Sequence, residues 1–176
     1  MTSKTTERQL QELLDKQALH ELNCAYARGV DRADRALLES LWHPDATADA
    51  GMFRGSAREY CQVFTTPNEA MERCAHVITN EWFEVHGDAA TGESYVLGLT
   101  TMVDNGEKYE QMVGGRYLDR YSRRDGSWKF DSRVFVLDFN RTGPCTAQWD
   151  EGIFALMTTR GRRDRQDPVY ALSTVG

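Results

Sequence analysis

Three turn signals divide the second half of the chain into four β-rich segments. They are His86-Gly87-Asp88, Asn105-Gly106 and Asp125-Gly126, and the last two dipeptides favour two-residue hairpin turns. The segments are rich in Val, Ile, Tyr, Phe, Trp and Thr, and they span about 74–86, 91–103, 107–123 and 127–140. The pattern therefore predicts a four-stranded antiparallel meander, with a bulge or bend at Gly114-Gly115.

The first half of the chain has helical periodicity. Thr6 and Gln9 form a capping-box signature, and the helix that follows is predicted to end at Gly29. Its predicted buried stripe consists of Leu10, Leu13, Leu14, Ala18, Leu22, Ala25 and Tyr26. A second helix is expected over about 32–42, a short strand over 46–53 and a third helix over 56–64. Helices followed by a meander indicate an α+β fold, with a curved sheet wrapped around the first helix.

Length and charge narrow the possible functions. The 176 residues, 40% of them hydrophobic, suffice for one domain, which we expect over 1–142. Residues 143–176 are predicted to be a C-terminal extension that packs on the sheet or on a neighbouring subunit, with a short helix near 149–157. A net charge of −6 argues against nucleic acid as the main partner. No apolar run approaches the roughly 18 residues of a membrane span, and no secretory signal is evident, so a cytoplasmic protein is predicted.

No cofactor or metal motif is recognisable. The four cysteines, Cys24, Cys61, Cys74 and Cys145, contain no C-x-x-C pair, so reduced thiols are expected. No phosphate-binding glycine loop is present, and no two histidines lie at ligand spacing. Near the C-terminus, four arginines lie among acidic residues and favour a solvated face over an anion site: Arg160, Arg162, Arg163 and Arg165.

The candidate catalytic residues lie in two separate stretches. Tyr26 and Asp31 end the first helical segment, and His76 lies within the first β-rich segment. An Asp that orients a His is a common arrangement for moving protons near neutral pH, so we hypothesise an Asp31–His76 dyad with Tyr26 beside it. Taken alone, His76 fits equally a hydrogen-bonded core residue, and Tyr26 fits a buried aromatic residue.

Strand alternation supplies the candidate pocket residues. It places Asp131, Arg133, Phe135 and Leu137 on one face of the last strand. Arg133 is expected either to reach a pocket or to pair with an acid at the sheet edge. The predicted pocket wall contains Trp42, Val113, Phe135 and Leu137, for which a plain core position is the alternative. Asn80 shares strand parity with His76, so it would line the site unless it serves a turn.

Several motifs together resemble the SnoaL-like branch of the nuclear transport factor 2-like superfamily, and its dehydratase-type members in particular. The resemblance covers roughly residues 8–142. It is carried by Gly29-Val30-Asp31, the run Leu41-Trp42-His43-Pro44-Asp45-Ala46, His76 with Thr79-Asn80, Gly114-Gly115-Arg116-Tyr117, and residues 123–130.

The resemblance implies a cone-shaped α+β barrel around an apolar pocket, with an Asp–His pair that moves protons. Asp31 and His76 match those positions, Tyr26 matches a catalytic tyrosine of one member and Arg133 a pocket arginine of another. It implies a cofactor-independent lyase acting on a small apolar, polyketide-, aromatic- or steroid-like substrate. An isomerase or cyclase would use the same dyad. A non-catalytic small-molecule-binding protein is the alternative of another class.

Apolar residues on both faces of the central strands predict that the protein forms an oligomer. Tyr95, Leu97 and Leu99 lie on one side of their strand, and Val96 and Met102 on the other. A sheet with apolar groups on both faces needs a second partner, so we expect a homo-oligomer. The resemblance favours a trimer, and a dimer is possible.

Overall fold

The predicted α+β architecture is confirmed by a computed structural model, which describes residues 2–174. Its helices are α1 (Thr2–Asp31), α2 (Arg35–Ser40) and α3 (Ala57–Thr65). Its strands are β1 (Trp42–Asp49), β2 (Arg54–Ser56), β3 (Met71–His86), β4 (Ala89–Asp104), β5 (Glu107–Arg124) and β6 (Ser127–Pro144). Short 3-10 turns follow at Gly152–Leu156 and Pro168–Thr174.

The six strands form one curved, unclosed sheet. Their order is β2-β1-β6-β5-β4-β3, so β3 to β6 make the predicted meander. All neighbouring pairs are antiparallel except β1 and β6, which run parallel. The cone is therefore open, because β2 and β3 are its two edges.

The two dipeptide hairpins are confirmed. Asn105 and Gly106 have φ of +50° and +84°, and Asp125 and Gly126 have φ of +52° and +79°. Positive φ at both central residues is the backbone of a type I′ turn, whose twist matches that of the flanking strands. These turns set the register of β4, β5 and β6.

Helix α1 differs from its prediction at both ends. It begins at Thr2, so Thr6 lies inside it, and it continues through Gly29 to Asp31. The true stop is a Schellman motif in which Asp34 N–H donates to Gly29 O (2.8 Å) and Ala33 N–H donates to Val30 O (3.2 Å). Ala33 takes the left-handed conformation there, with φ +50°. Gly29 instead allows close packing, since a Cβ on it would lie 3.2 Å from Leu38 Cβ.

The predicted buried stripe of α1 holds only for its second half. Leu10, Leu13 and Leu14 are 55%, 64% and 53% exposed, because α1 contacts β3 and β6 and its first turns have no sheet beneath them. Of its later members Tyr26 is buried, and Ala18, Leu22 and Ala25 are partly buried against the core. Leu19, which the predicted stripe omits, is fully buried. Over the described residues no helix, α1 included, combines the length and the apolar character needed to cross a membrane.

Helix α2 is shorter than predicted, whereas helix α3 matches its prediction. Asp34 caps α2 by accepting from Leu37 N–H, and α2 ends at Ser40, because Trp42 already pairs with Phe130 as the first residue of β1. The strand expected over 46–53 therefore starts at 42 and ends at 49. Helix α3 has the capping box at Ser56 that the sequence indicates.

Two bulges interrupt the alternation of β6. Arg120 pairs with Ser132 and Tyr121 with Phe130, which leaves Asp131 without a partner in the ladder. Phe130 and Arg133 are consequently both buried, whereas Asp131 accepts hydrogen bonds from Ser122 and Arg124 at the surface. The prediction that Asp131 and Arg133 share a face is thus wrong.

The C-terminal segment folds back onto the helices of the same chain. The region near Trp149 forms the 3-10 turn Gly152–Leu156 rather than an α-helix, and its apolar side chains are exposed. Beyond it, Arg165 Nη2 donates to Asp34 Oδ1 (2.7 Å) and Tyr170 Oη donates to Asp34 Oδ2 (2.9 Å). The segment therefore lies against the corner between α1 and α2, next to the end that carries Asp31.

Candidate active site

The C-terminal end of α1 holds Asp31 against β3. Asp31 is the last helical residue before the Schellman turn, and its carboxylate contacts His76 at two points. Oδ1 lies 2.6 Å from His76 Nδ1, and Oδ2 accepts from the His76 backbone N–H at 2.9 Å. The imidazole is thereby fixed in position, and its Nδ1 is the nitrogen that carries the proton shared with Asp31.

His76 Nε2 has no hydrogen-bond partner among the described residues. Gly98 is the β4 residue paired with His76, and a Cβ on Gly98 would lie 3.8 Å from Nε2. Because Gly98 has no side chain, the space beside Nε2 stays open. Both residues line the same cavity, so Nε2 is the nitrogen available to a bound molecule.

The pKa of His76 is raised to about 9. Burial acts in the opposite direction and lowers the pKa, but hydrogen bonds to Asp31 and to the Cys74 sulfur, together with their charges, outweigh it. The two side chains are 16% and 12% exposed, so solvent screens the pair weakly. At neutral pH the free protein therefore holds an imidazolium–carboxylate pair with no net charge.

Cys74 completes a group of three possible metal ligands. Its sulfur lies 3.7 Å from His76 Nδ1, and the ligand atoms of Asp31, Cys74 and His76 all fall within 4.8 Å of one another. Two ligands of one tetrahedral zinc at ordinary bond lengths stand roughly 3.3 Å apart. The 2.6 Å between Asp31 Oδ1 and His76 Nδ1 fits a shared proton better than a shared ion.

The cavity beside His76 has a volume of about 420 Å³. Its wall is mostly apolar and contains helix, strand and C-terminal residues. They are Tyr26, Val30, Ala50, Met52, Tyr60, Val63, Phe64, Thr66, Asn68, Met71, Cys74, His76, Val96, Gly98, Thr100, Met102, Gln111, Val113, Tyr117, Phe135 and Arg163. A cavity of this size suits one small organic molecule.

Tyr26 belongs to a buried cluster of phenols in this wall. Its hydroxyl lies 2.5 Å from the Tyr60 hydroxyl, and its ring meets Tyr117 edge-on at 5.5 Å. Burial raises the pKa of Tyr26, and raises the pKa of Tyr60 and Tyr117 well above the ordinary value. These hydroxyls therefore stay protonated and can donate hydrogen bonds, which suits them to polarise an oxygen of a bound molecule.

Arg133 lies beneath these rings and not in the cavity wall. It is 3% exposed, and its Nε and Nη2 donate to the two oxygens of Asp119, both at 2.8 Å. Its guanidinium carbon stands 4.0 Å from the ring centres of both Tyr26 and Tyr117. Of the two alternatives for Arg133, the structure shows pairing with an acid, in the core rather than at an edge.

Of the other predicted pocket residues, two line the cavity and three do not. Val113 and Phe135 line the cavity, whereas Trp42 lies in the core behind it, with its ring 4.9 Å from Phe130. Asn80 and Leu137 stand outside the wall, contrary to the expectation from strand parity. Asn80 occupies a register shift in β3 with φ +48° and is exposed, and Leu137 is 53% exposed beside the second bulge of β6.

Most of the wall residues were not foreseen as site residues, and three of them bear on the chemistry of the cavity: Tyr60, Tyr117 and Arg163. Tyr60 follows the capping box of α3 by four positions, so helical spacing could have indicated an inward ring. Tyr117 lies within a motif of the family resemblance. Arg163 comes from the C-terminal segment, and no local pattern indicates that this segment returns to the cavity.

The other histidines are used elsewhere. His20 pairs with Glu81, and His43 Nε2 lies 3.0 Å from the Ser122 carbonyl oxygen. His86 is exposed at a hairpin. Of the histidines, only His76 lines the described cavity.

Comparison with known proteins identifies a protein family whose model matches most of the chain. Residues 11–134 match a family model described as SnoaL-like domain. The gamma-hexachlorocyclohexane dehydrochlorinase of Sphingobium indicum is 27% identical over 128 residues, which cover 70% of this chain and 81% of that protein.

Solved structures share the cone. The crystal structure of LinA has a TM-score of 0.67 and 25% identity, covering 80% of this chain and 95% of that one. A candidate scytalone dehydratase from Novosphingobium aromaticivorans has a TM-score of 0.66 and 20% identity, covering 78% and 91%, and is similar in fold alone. The fold is that of the nuclear transport factor 2-like cones.

Proposed function

This chain belongs to the SnoaL-like family, and on that premise we propose that it is a cofactor-independent lyase of the dehydratase type. Asp31 and His76 would eliminate water or another leaving group from a small apolar substrate. The observation that carries the proposal is the imidazole held at Nδ1 by a buried carboxylate, with Nε2 open to an apolar cavity. The similarity to a dehydrochlorinase supports a lyase-type reaction.

In this mechanism the neutral form of His76, which is the minor form at neutral pH because the pKa is about 9, accepts a proton at Nε2 from a substrate carbon. The C–H electron pair forms the new double bond, or first a carbanion, and the leaving group departs with the bond electrons. When the leaving group is hydroxide, the imidazolium returns its proton and water is released. Asp31 stabilises the imidazolium and fixes its tautomer, and such positioned acid–base catalysis contributes about 10²–10⁴-fold.

The buried tyrosine cluster supplies the second part of the proposed mechanism, a hydrogen-bond donor for the substrate. Tyr26, linked to Tyr60, would donate a hydrogen bond to a substrate oxygen whose negative charge grows in the transition state. Arg133 is a positioning residue in this proposal, because it touches the rings of Tyr26 and Tyr117 and not the cavity.

A substrate screen tests the proposal. Candidate substrates carry an acidic C–H next to a leaving group: hexachlorocyclohexane isomers, hydroxylated aromatic and polyketide-like compounds, and steroid-like ketones. Reactions in D2O report both leaving-group release and deuterium uptake at carbon. We expect elimination with one of these classes and its loss in His76→Gln. Elimination that survives His76→Gln contradicts the proposal, and deuterium uptake without elimination indicates an isomerase.

We also propose that the protein acts as a homo-oligomer in the cytoplasm, with a trimer favoured. The outer face of β4 carries Tyr95, Leu97 and Leu99, which are 43%, 38% and 44% exposed, while Val96 on the inner face is buried. Covering such a face with a second copy would remove it from water. Sedimentation at micromolar concentration should give a multiple of the chain mass, and a monomer contradicts this expectation.

A further inference from the structure

Arg163 stands at the boundary between the cavity and a neighbouring groove of about 740 Å³. The segment that carries it is held on both sides. Arg73 Nη1 donates to Gly161 O at 2.9 Å, and Arg165 binds Asp34. The position of Arg163 at the cavity therefore follows from the contacts of its neighbours in the segment.

The charge of Arg163 is not matched by an acid. Each of the other three arginines of the segment meets a carboxylate: Arg160 with Asp150 (3.0 Å), Arg162 with Asp164 (2.7 Å) and Arg165 with Asp34 (2.7 Å). Within the described residues, Arg163 donates only to the backbone oxygen of Phe64, through Nη2. Its Nε is buried there without a hydrogen-bond partner. An enclosed donor without a partner costs free energy. Nη1 makes no hydrogen bond within the described residues and is not enclosed in this way, so it is the nitrogen that a ligand can reach.

On the cavity side no acid among the described residues compensates the charge of Arg163. The described lining of the neighbouring groove contains three acidic residues, but they lie there among four further arginines. Among the described wall residues Arg163 is the one with a permanent charge, and the wall holds no carboxylate. His76 and Asp31 form a pair with no net charge at neutral pH. The Phe64 carbonyl belongs to the last turn of α3, whose partial negative charge orients the guanidinium but supplies less than a full counter-charge.

We propose that the cavity binds an apolar organic anion, with its carboxylate or equivalent oxyanion on Arg163 and its apolar body against the aromatic wall. The inference deepens the proposed function, because it rests on this cavity being the substrate site and names the class of substrate. Arg163 is a substrate-binding residue in this account. It lies outside residues 11–134, so it belongs to this chain's own C-terminal segment rather than to the matched family domain.

A matched pair of probes isolates the charge. 2-Naphthoate and 2-naphthamide have nearly the same shape, and calorimetry measures their binding to the full-length protein at neutral pH. We expect naphthoate to bind about tenfold or more tightly than naphthamide, as one charge-assisted hydrogen bond at a buried site provides. Equal affinity for the two probes, or no measurable binding of either, overturns the proposal.

Single substitutions test whether the preference for naphthoate over naphthamide depends on Arg163. Arg163→Met should abolish it by weakening naphthoate alone, and Arg163→Lys should restore part of it. Arg162→Met is the matched control, because Arg162 pairs with Asp164 and does not line the cavity; it should leave both affinities within about twofold. A preference that survives Arg163→Met, or that Arg162→Met also removes, contradicts the assignment.

The same assay separates this inference from the proposed reaction. The double variant Asp31→Asn/His76→Gln removes both charges of the dyad, and it should keep the preference for naphthoate. Loss of the preference in that variant assigns the anion site to His76 instead of Arg163 and overturns the proposal. Failure of the lyase reaction itself appears only in turnover, which these binding measurements do not use.

Discussion

One carboxylate fixes both the backbone and the ring of one histidine: Asp31 accepts from His76 N–H at 2.9 Å and lies 2.6 Å from His76 Nδ1. The contact joins the end of α1 to the middle of β3, residues 45 positions apart in the chain. It needs α1 to stop immediately after Asp31, which the Schellman turn at Ala33 ensures. The site therefore depends on the helix end as much as on the two side chains.

Asp31→Asn should lower the pKa of His76 from its value of about 9. The amide still meets Nδ1 but carries no charge, so the imidazolium loses its main stabilising partner while burial continues to oppose it. Titration of the imidazole by NMR measures the change. Glu81→Gln, which touches His20 instead, is the control and should leave His76 unchanged. An unaltered His76 titration in Asp31→Asn would contradict the account of the pair.

The dyad should also make stability depend on pH. The pKa of His76 is raised from about 6.5 to about 9 on folding, so its contribution is fully present below about pH 6.5 and is lost as pH rises through about 9. The shift corresponds to a contribution on the order of 3 kcal/mol.

Urea unfolding of the wild type and of His76→Gln across this range measures the contribution. The difference in unfolding free energy between the two proteins should shrink as pH rises from 6.5 to above 9, because the His76 imidazolium is lost over this range. The other groups titrate alike in both proteins and cancel in the difference. A difference that stays constant with pH would show that His76 is not charged in the folded protein.

The features that the sequence predicted well are local. Each type I′ turn is encoded in two adjacent residues, and the capping box of α3 in residues three positions apart. Asp31 and His76 were paired because an Asp that orients a His suits proton transfer, and the family resemblance supported the pairing. Nothing in their spacing says that a helix end meets a strand.

The features that were missed depend on contacts distant in sequence. Gly29 was interpreted as a helix stop, but its role is to admit Leu38. A bulge at Asp131 shifts the parity of β6, which alternation counted from one end cannot reveal. Arg163 reaches the cavity because Arg165 binds Asp34, a contact across 131 positions.

Gly98→Ala should impair turnover while the fold persists. The new methyl would stand 3.8 Å from His76 Nε2 and 3.0 Å from Val113 Cγ2, so it would occupy the space that a substrate needs. We expect kcat/KM to fall by about tenfold or more, with a change in unfolding free energy of about 1 kcal/mol. Gly143→Ala is the control, since nothing lies within 4 Å of its added methyl. Unchanged kinetics in Gly98→Ala would place the substrate away from Nε2.

Arg133→Met should destabilise the fold strongly. It leaves Asp119 charged and buried without its partner, which costs about 3–5 kcal/mol. The double variant Arg133→Met/Asp119→Leu should recover much of the loss. Arg124→Met, which breaks surface pairs with Asp45 and Asp131, should cost about 1 kcal/mol or less. Urea unfolding compares the three variants, and a small loss in Arg133→Met alone would show that the pair contributes little.

The dependence of kcat/KM on pH, for the wild type and His76→Gln with the substrate found in the screen, tests the central claim most directly. The base must be neutral, so wild-type kcat/KM should rise about tenfold per pH unit and level off near the His76 pKa of about 9. His76→Gln should lose at least about 10²-fold in kcat/KM and show no such rise. A wild-type profile that is flat over this range, or a His76→Gln variant within about threefold of the wild type, would contradict the assignment of His76 as the base.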